Sequence, residues 1–81
     1  MAKPLKDHHE HEELAAFGGA VRRLREQKNI SQEALADLAG IDRSYMGGIE
    51  RGQHNVALIN MKKIADQLSL TLAELMNMAG I

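Results

Sequence analysis

Apolar positions along this chain recur every three or four residues, and nowhere do they alternate at the spacing of a strand. Leu14, Phe17, Val21 and Leu24 form one stripe, which predicts a helix from about Glu12 to Lys28. Two shorter amphipathic stretches follow, QEALADLA after Ser31 and RSYMGGIE after Asp42. Leu58, Met61, Ile64, Ala65 and Leu68 share a face of a fourth helix, from about Ala57 to Leu68, that turns Lys62 and Lys63 outward. A fifth runs from Leu72 to about Ala79 and stops near Gly80. The expected architecture is all-α, with five helices packed orthogonally around one aliphatic core.

The boundaries carry their own chemistry. Ser31, Asp42 and Thr71 each precede a helix with an oxygen that can accept the free N–H groups of its first turn. Thr71 with Glu74 has the spacing of a capping box. The residues just before these caps, Ile30, Ile41 and Leu70, stand where an apolar side chain packs on Leu35, Met46 and Leu75, making three hydrophobic staples. Gly40 lies where a chain leaving a helix commonly needs a positive φ, and Asn29 suits a helix exit. Ala36 is small enough to let the second short helix cross the first closely, with Met46 and Ile49 pointing inward. Two capped helices joined by so short a turn, at about residues 31–51, describe a helix-turn-helix.

The stretch ISQEALADLAGIDRSYMGGIERG resembles the lambda-repressor-like, or Xre, family of bacterial and phage regulators. The likeness extends from about Phe17 to Leu75, through FGGAVRRLRE, IERG and KKIADQLSLTLAEL. The string IDRSYMGGIERGQHN further resembles the controller proteins of restriction-modification systems. The resemblance implies a five-helix lambda-repressor-like domain that binds double-stranded DNA and regulates transcription. Because one motif covers only a short half-site, it implies a homodimer on a pseudo-palindrome whose half-sites lie about 34 Å apart.

A helical wheel with Met46 and Ile49 inward turns Ser44, Gly47, Gly48 and Arg51 outward and leaves Arg43 and Tyr45 on the flanks. Arg43 is the foremost candidate for base recognition, since its guanidinium can donate two parallel hydrogen bonds to guanine O6 and N7. A surface salt bridge with Asp42 or Asp37 is the rival role. Ser44 can bond a base or phosphate, or merely sit in water, and Tyr45 can reach a phosphate or pack in the core. Gln32 matches a family position that contacts a phosphate and braces the reading helix, while Arg51, His54 and Asn55 resemble backbone-contacting positions. Binding through His54 should strengthen as pH falls toward about 6.

Gly47 and Gly48 together cost a helix about 2 kcal/mol. One compensation would be a bare backbone that sits deep in the groove, so Gly48→Ala should raise the melting temperature while weakening operator binding. Family members often carry a reading side chain where Gly48 stands, which leaves readout there in question. Of Gly18 and Gly19, at least one should permit a close helix contact, and Gly18 matches a family glycine. The wheel places Glu50 near the inward edge, and the resemblance pairs it with Arg25 in a partly buried ion pair.

Composition narrows the picture. The 81 residues allow one small domain, expected at residues 13–81 behind a flexible polar tail, residues 1–12, and such a domain buries only about 60–65% of its unfolded surface. Apolar residues make up 44% and aromatics 2%, so five methionines must help fill an aliphatic core. A net charge of −1 argues against indiscriminate packaging of nucleic acid. Residues 1–19 hold two lysines and four acids, whereas residues 20–54 hold six basic and five acidic groups. The absence of cysteine excludes disulfides and thiolate zinc and fits a cytoplasmic protein. The longest apolar run, LAAFGGAV, is too short to span a membrane, and no signal peptide is expected. In the tail, His8 with His11 or Glu12 has helical ligand spacing, but a solvated tail is the simpler reading, so no metal and no cofactor are expected. Ile59, Met78 and Ile81 are apolar residues off the core faces and are the candidates for the dimer interface. No small-molecule ligand is expected. An enzyme is disfavoured because no nucleophile, base and orienting group share a cleft; the rival function is an antitoxin-like module that binds a partner protein.

Overall fold

The computed structural model describes residues 11–81. Five helices follow one another: α1 Glu12–Gln27, α2 Gln32–Ala39, α3 Arg43–Glu50, α4 Leu58–Gln67 and α5 Leu72–Ala79. No strand occurs among the described residues. Residues 1–10, with His8 and most of the expected tail, lie outside them.

Three of the starts are capped as their side chains dictate. Ser31 Oγ accepts from the Ala34 N–H at 3.0 Å, and Asp42 Oδ2 accepts from the Tyr45 N–H at 3.2 Å. Thr71 and Glu74 complete the box, Oγ1 accepting from the Glu74 N–H at 3.0 Å and Oε1 from the Thr71 N–H at 2.8 Å. Thr71→Ala should therefore cost about 1 kcal/mol. In a domain this small that lowers the melting temperature by roughly 4–8 °C. A thermal melt unchanged by the substitution would show that the box adds nothing.

One joint is used repeatedly where helices end. Asn29, Gly40, Ser69 and Gly80 all have positive φ, at 57, 68, 61 and 77°. In each case the following apolar residue returns its N–H to the carbonyl five positions back: Ile30 to Arg25 at 3.2 Å, Ile41 to Ala36 at 2.9 Å, Leu70 to Ala65 at 3.0 Å and Ile81 to Met76 at 3.1 Å. The left-handed residue reverses the chain, and the bond closes a carbonyl that the helix leaves free. Ile30, Ile41 and Leu70 then turn onto the core before the next helix begins.

The core joins Phe17, Ala20 and Val21 of α1 to Leu35, Ala36 and Ala39 of α2, Met46 and Ile49 of α3, Ile64 and Ala65 of α4, Leu68, and Leu75 of α5. Leu58 departs from the expected stripe, since it stands 66% exposed at the first position of α4. A wheel gives the direction of a side chain and not its depth. α4 meets the core through Ile64 and Ala65, so a residue two turns earlier on the same face is left outside.

α1 and α3 touch at their backbones. A Cβ on Gly18 would fall within 2.9 Å of the carbonyl carbon and oxygen of Glu50, and closer still to the Ile49 carbonyl. Beyond α3, Gly52 has a φ of 75° and passes so near α1 that a Cβ there would lie 2.7 Å from Ala15 Cα. α3 and the turn that follows it are thus seated directly on α1.

Candidate nucleic-acid interface

α3 presents its outer face because its other side is pinned. Arg25 Nε donates to Glu50 Oε2 at 2.8 Å and Nη2 donates to Oε1 at 3.0 Å, a two-pronged pair with side chains only 11% and 3% exposed. Arg25 Nη1 also donates to the Ile30 carbonyl at 2.9 Å, and Gln32 Nε2 donates to Glu50 Oε1 at 3.1 Å. The hydrogen bond to Glu50 raises Arg25 above the usual arginine value, against an opposing push from burial. The Glu50 carboxylate thus ties the end of α3 to Arg25 of α1 and to the first residue of α2, and Arg25 in turn holds the α1–α2 joint through the Ile30 carbonyl. The partly buried pair expected between Arg25 and Glu50 is present, and Gln32 braces it.

Outside this anchor, Gln32, Arg43, Ser44, Gly47 and Arg51 line an open cleft of about 190 Å³. Arg43 and Ser44 are exposed in the first turn of α3. Among the described residues neither Asp37 nor Asp42 pairs with Arg43. Its guanidinium has no acidic partner among the described residues. Arg43 and Ser44 both stand at the N-terminus of α3, beside the Asp42 carboxylate that caps the Tyr45 N–H. Arg51 Nε donates to Gln53 Oε1 at 3.0 Å, so Gln53, which sequence reasoning passed over, helps hold the second cation of the cleft.

The glycine pair is not bare, contrary to the wheel. Both Gly47 and Gly48 are buried. A Cβ on Gly47 would meet Arg51 Nη1 at 3.1 Å and Gln32 Oε1 at 3.3 Å, while one on Gly48 would run into the His54 imidazole. That ring is stacked on Tyr45, with centroids 4.6 Å apart and planes 27° from parallel. Side chains from α2 and from the loop cover what a wheel of α3 alone leaves open. The expected gain in melting temperature from Gly48→Ala therefore does not follow, because the added methyl collides with imidazole.

Tyr45 is half-buried, packed against the core on one side and stacked on His54 on the other. Asn55 is not brought to the Arg43 cleft. It borders a separate apolar depression of about 200 Å³ with Leu14, Phe17, Val56, Met61, Met76 and Ile81. Ile59, Met78 and Ile81 are 66%, 48% and 57% exposed, and of these only Ile81 lines that depression. Among the described residues no three acidic or histidine side chains approach closely enough to hold a metal ion, and no helix is long and apolar enough to cross a membrane.

The helix-turn-helix family model matches residues 21–75. Control protein C.MunI of Mycoplasma sp is 43% identical over 60 residues, covering 73% of this chain and 81% of that protein. Control protein C.BamHI of Bacillus amyloliquefaciens is 41% identical over 66 residues, covering 80% of this chain and 82% of its own length. Among solved structures, the restriction-modification controller protein C.AhdI of Aeromonas hydrophila superposes with a TM-score of 0.76 at 52% identity, covering 79% of this chain and 97% of that one.

Proposed function

The chain belongs to the Xre-like helix-turn-helix family of DNA-binding transcriptional regulators, and from that premise we propose that it reads a pseudo-palindromic operator as a homodimer, with α3 in the major groove. The observation that carries this reading is Arg43, which has no salt-bridge partner among the described residues and is held at the open end of a helix whose opposite face is locked by Arg25 and Glu50. An exposed guanidinium on a rigid helix is suited to bidentate recognition of guanine. Gln32, Ser44 and Arg51 surround it as donors for phosphate or base, Tyr45 of α3 and His54 of the following loop stack beside them, and Asn55, away from this cleft, is left as a contact to the DNA backbone. The likeness to controller proteins extends the proposal to its setting, a cytoplasmic regulator of the genes of a restriction-modification system. Dimerisation through exposed apolar residues such as Ile59, Met78 and Ile81 would set two α3 helices about 34 Å apart.

The test is fluorescence anisotropy on duplex DNA from upstream of the chain's own gene, with excess random competitor. Arg43→Ala should fold normally, because its side chain is exposed, and should lose about 10- to 100-fold in affinity. Competitor-resistant binding that survives the substitution would remove Arg43 from the groove. Absence of binding by the wild type, both there and on a randomised pool, would overturn the operator reading itself.

A further inference from the structure

Gly48 sits on the outward arc of α3, where a side chain would point away from Met46 and Ile49, yet it has none. Its place is taken from elsewhere in the chain. The Nε2–Cδ2 edge of the His54 imidazole lies inside the volume that a residue-48 Cβ would fill. The face of the ring is held against Tyr45, itself a residue of α3. His54 is partly exposed, and among the described residues neither of its nitrogens finds a hydrogen-bond partner or is sealed from solvent. The loop behind it is fixed by the close passage of Gly52 across Ala15 and by the Gln53 N–H, which donates to the Gly48 carbonyl at 2.9 Å.

We propose that His54 is a specificity-determining residue: it supplies from the loop the base-reading side chain that α3 lacks at position 48, with Gly48 as its seat and Tyr45 as its backing. The inference rests on the operator reading above and adds to it a base-pair position that α3 does not read by itself. An imidazole offers one donor and one acceptor when neutral and two donors when protonated, so it can address purine N7 or O6 edges. A ring already stacked and wedged loses little freedom on docking, which favours discrimination over mere adhesion. The two glycines then have different causes. Gly47 makes room for Gln32 and Arg51, whereas Gly48 makes room for a reader.

The experiment begins by selecting the wild-type half-site from a randomised duplex pool. Wild type, His54→Ala, Gly48→Ala and the double variant are then titrated against every single-base-pair change in that site, and each variant is melted by circular dichroism. His54→Ala should flatten discrimination about tenfold at one base pair per half-site and leave the others intact. Gly48→Ala should do the same by evicting the ring, and the double variant should be no worse than either, since both remove one element. Should His54→Ala fail to fold, His54→Gln is expected to redirect preference at that same base pair. Uniform weakening across all site variants would assign His54 to the phosphate backbone and overturn the inference while leaving the operator reading in place. Additive losses in the double variant would overturn the seating. A wild type that selects no sequence would overturn the operator reading first, and is thereby distinguishable.

Discussion

Arg25→Ala is expected to cost about 3–5 kcal/mol, because it strands a carboxylate that is 3% exposed with, among the described residues, only Gln32 left as a side-chain partner. A domain of this kind has about 5–15 kcal/mol in total, so the variant should melt roughly 15–30 °C below wild type. Loss of DNA binding at 37 °C would then follow from unfolding and not from a missing contact. Binding measured near 5 °C should recover most of the wild-type affinity. A melting temperature within about 3 °C of wild type would show that the pair is not closed in solution. Arg25→Met combined with Glu50→Leu should recover only part of the loss, since the Ile30 carbonyl and the Gln32 amide lose their partners along with the ions. The sign of the pH dependence follows from the raised Arg25 value. Its contribution is complete below the ordinary arginine value and is lost only as pH climbs through the raised one, so between about pH 6 and 10 it should stay constant.

Gly18→Ala and Gly19→Ala are neighbours with opposite expected signs. Intrinsic propensity favours alanine over glycine in a helix by about 1 kcal/mol at both positions. At Gly19 nothing lies within 4 Å of the added carbon, so that gain should appear in full as a higher melting temperature. At Gly18 the methyl meets backbone of α3, the carbonyls of Ile49 and Glu50, and backbone cannot swing aside as a side chain can. α1 must move off α3, which also stretches the Arg25–Glu50 pair. Overpacking of this kind costs about 1–3 kcal/mol, enough to reverse the propensity gain. Paired thermal melts decide the matter. Two variants that shift in the same direction would mean that α1 and α3 are not in backbone contact.

The features legible in the sequence are those whose causes lie within a few residues. Caps at Ser31, Asp42 and Thr71, the exits at Asn29 and Gly40 and the inward set of α3 each depend on a neighbour no more than five positions away. Ser69 was harder to read, because its left-handed conformation follows from the need to close a turn and not from any tolerance of its own. The Arg25–Glu50 pair spans 25 positions and became legible through family resemblance alone. Gly48 was misjudged for a related reason. A wheel holds one helix, and the ring that covers Gly48 comes from a loop. Leu58 was misplaced because it stands at the first position of α4, where direction without depth says little.

The repeated joint sets a limit on how this domain can change. At Asn29, Gly40 and Ser69 the left-handed residue, the returning hydrogen bond and the apolar plug are consecutive, so a single inserted residue would put the plug in water and break the closure. Those three corners have no spare length. The connection from Arg51 to Ala57 is built otherwise, held by Gly52 against α1 at its start and by the buried Val56 at its end, with Gln53, His54 and Asn55 between. Residues there can be exchanged without disturbing a cap or a plug. Tolerance is thereby distributed unevenly along the chain: the three corners admit no insertion, whereas the side chains at residues 53–55 can vary without altering the frame.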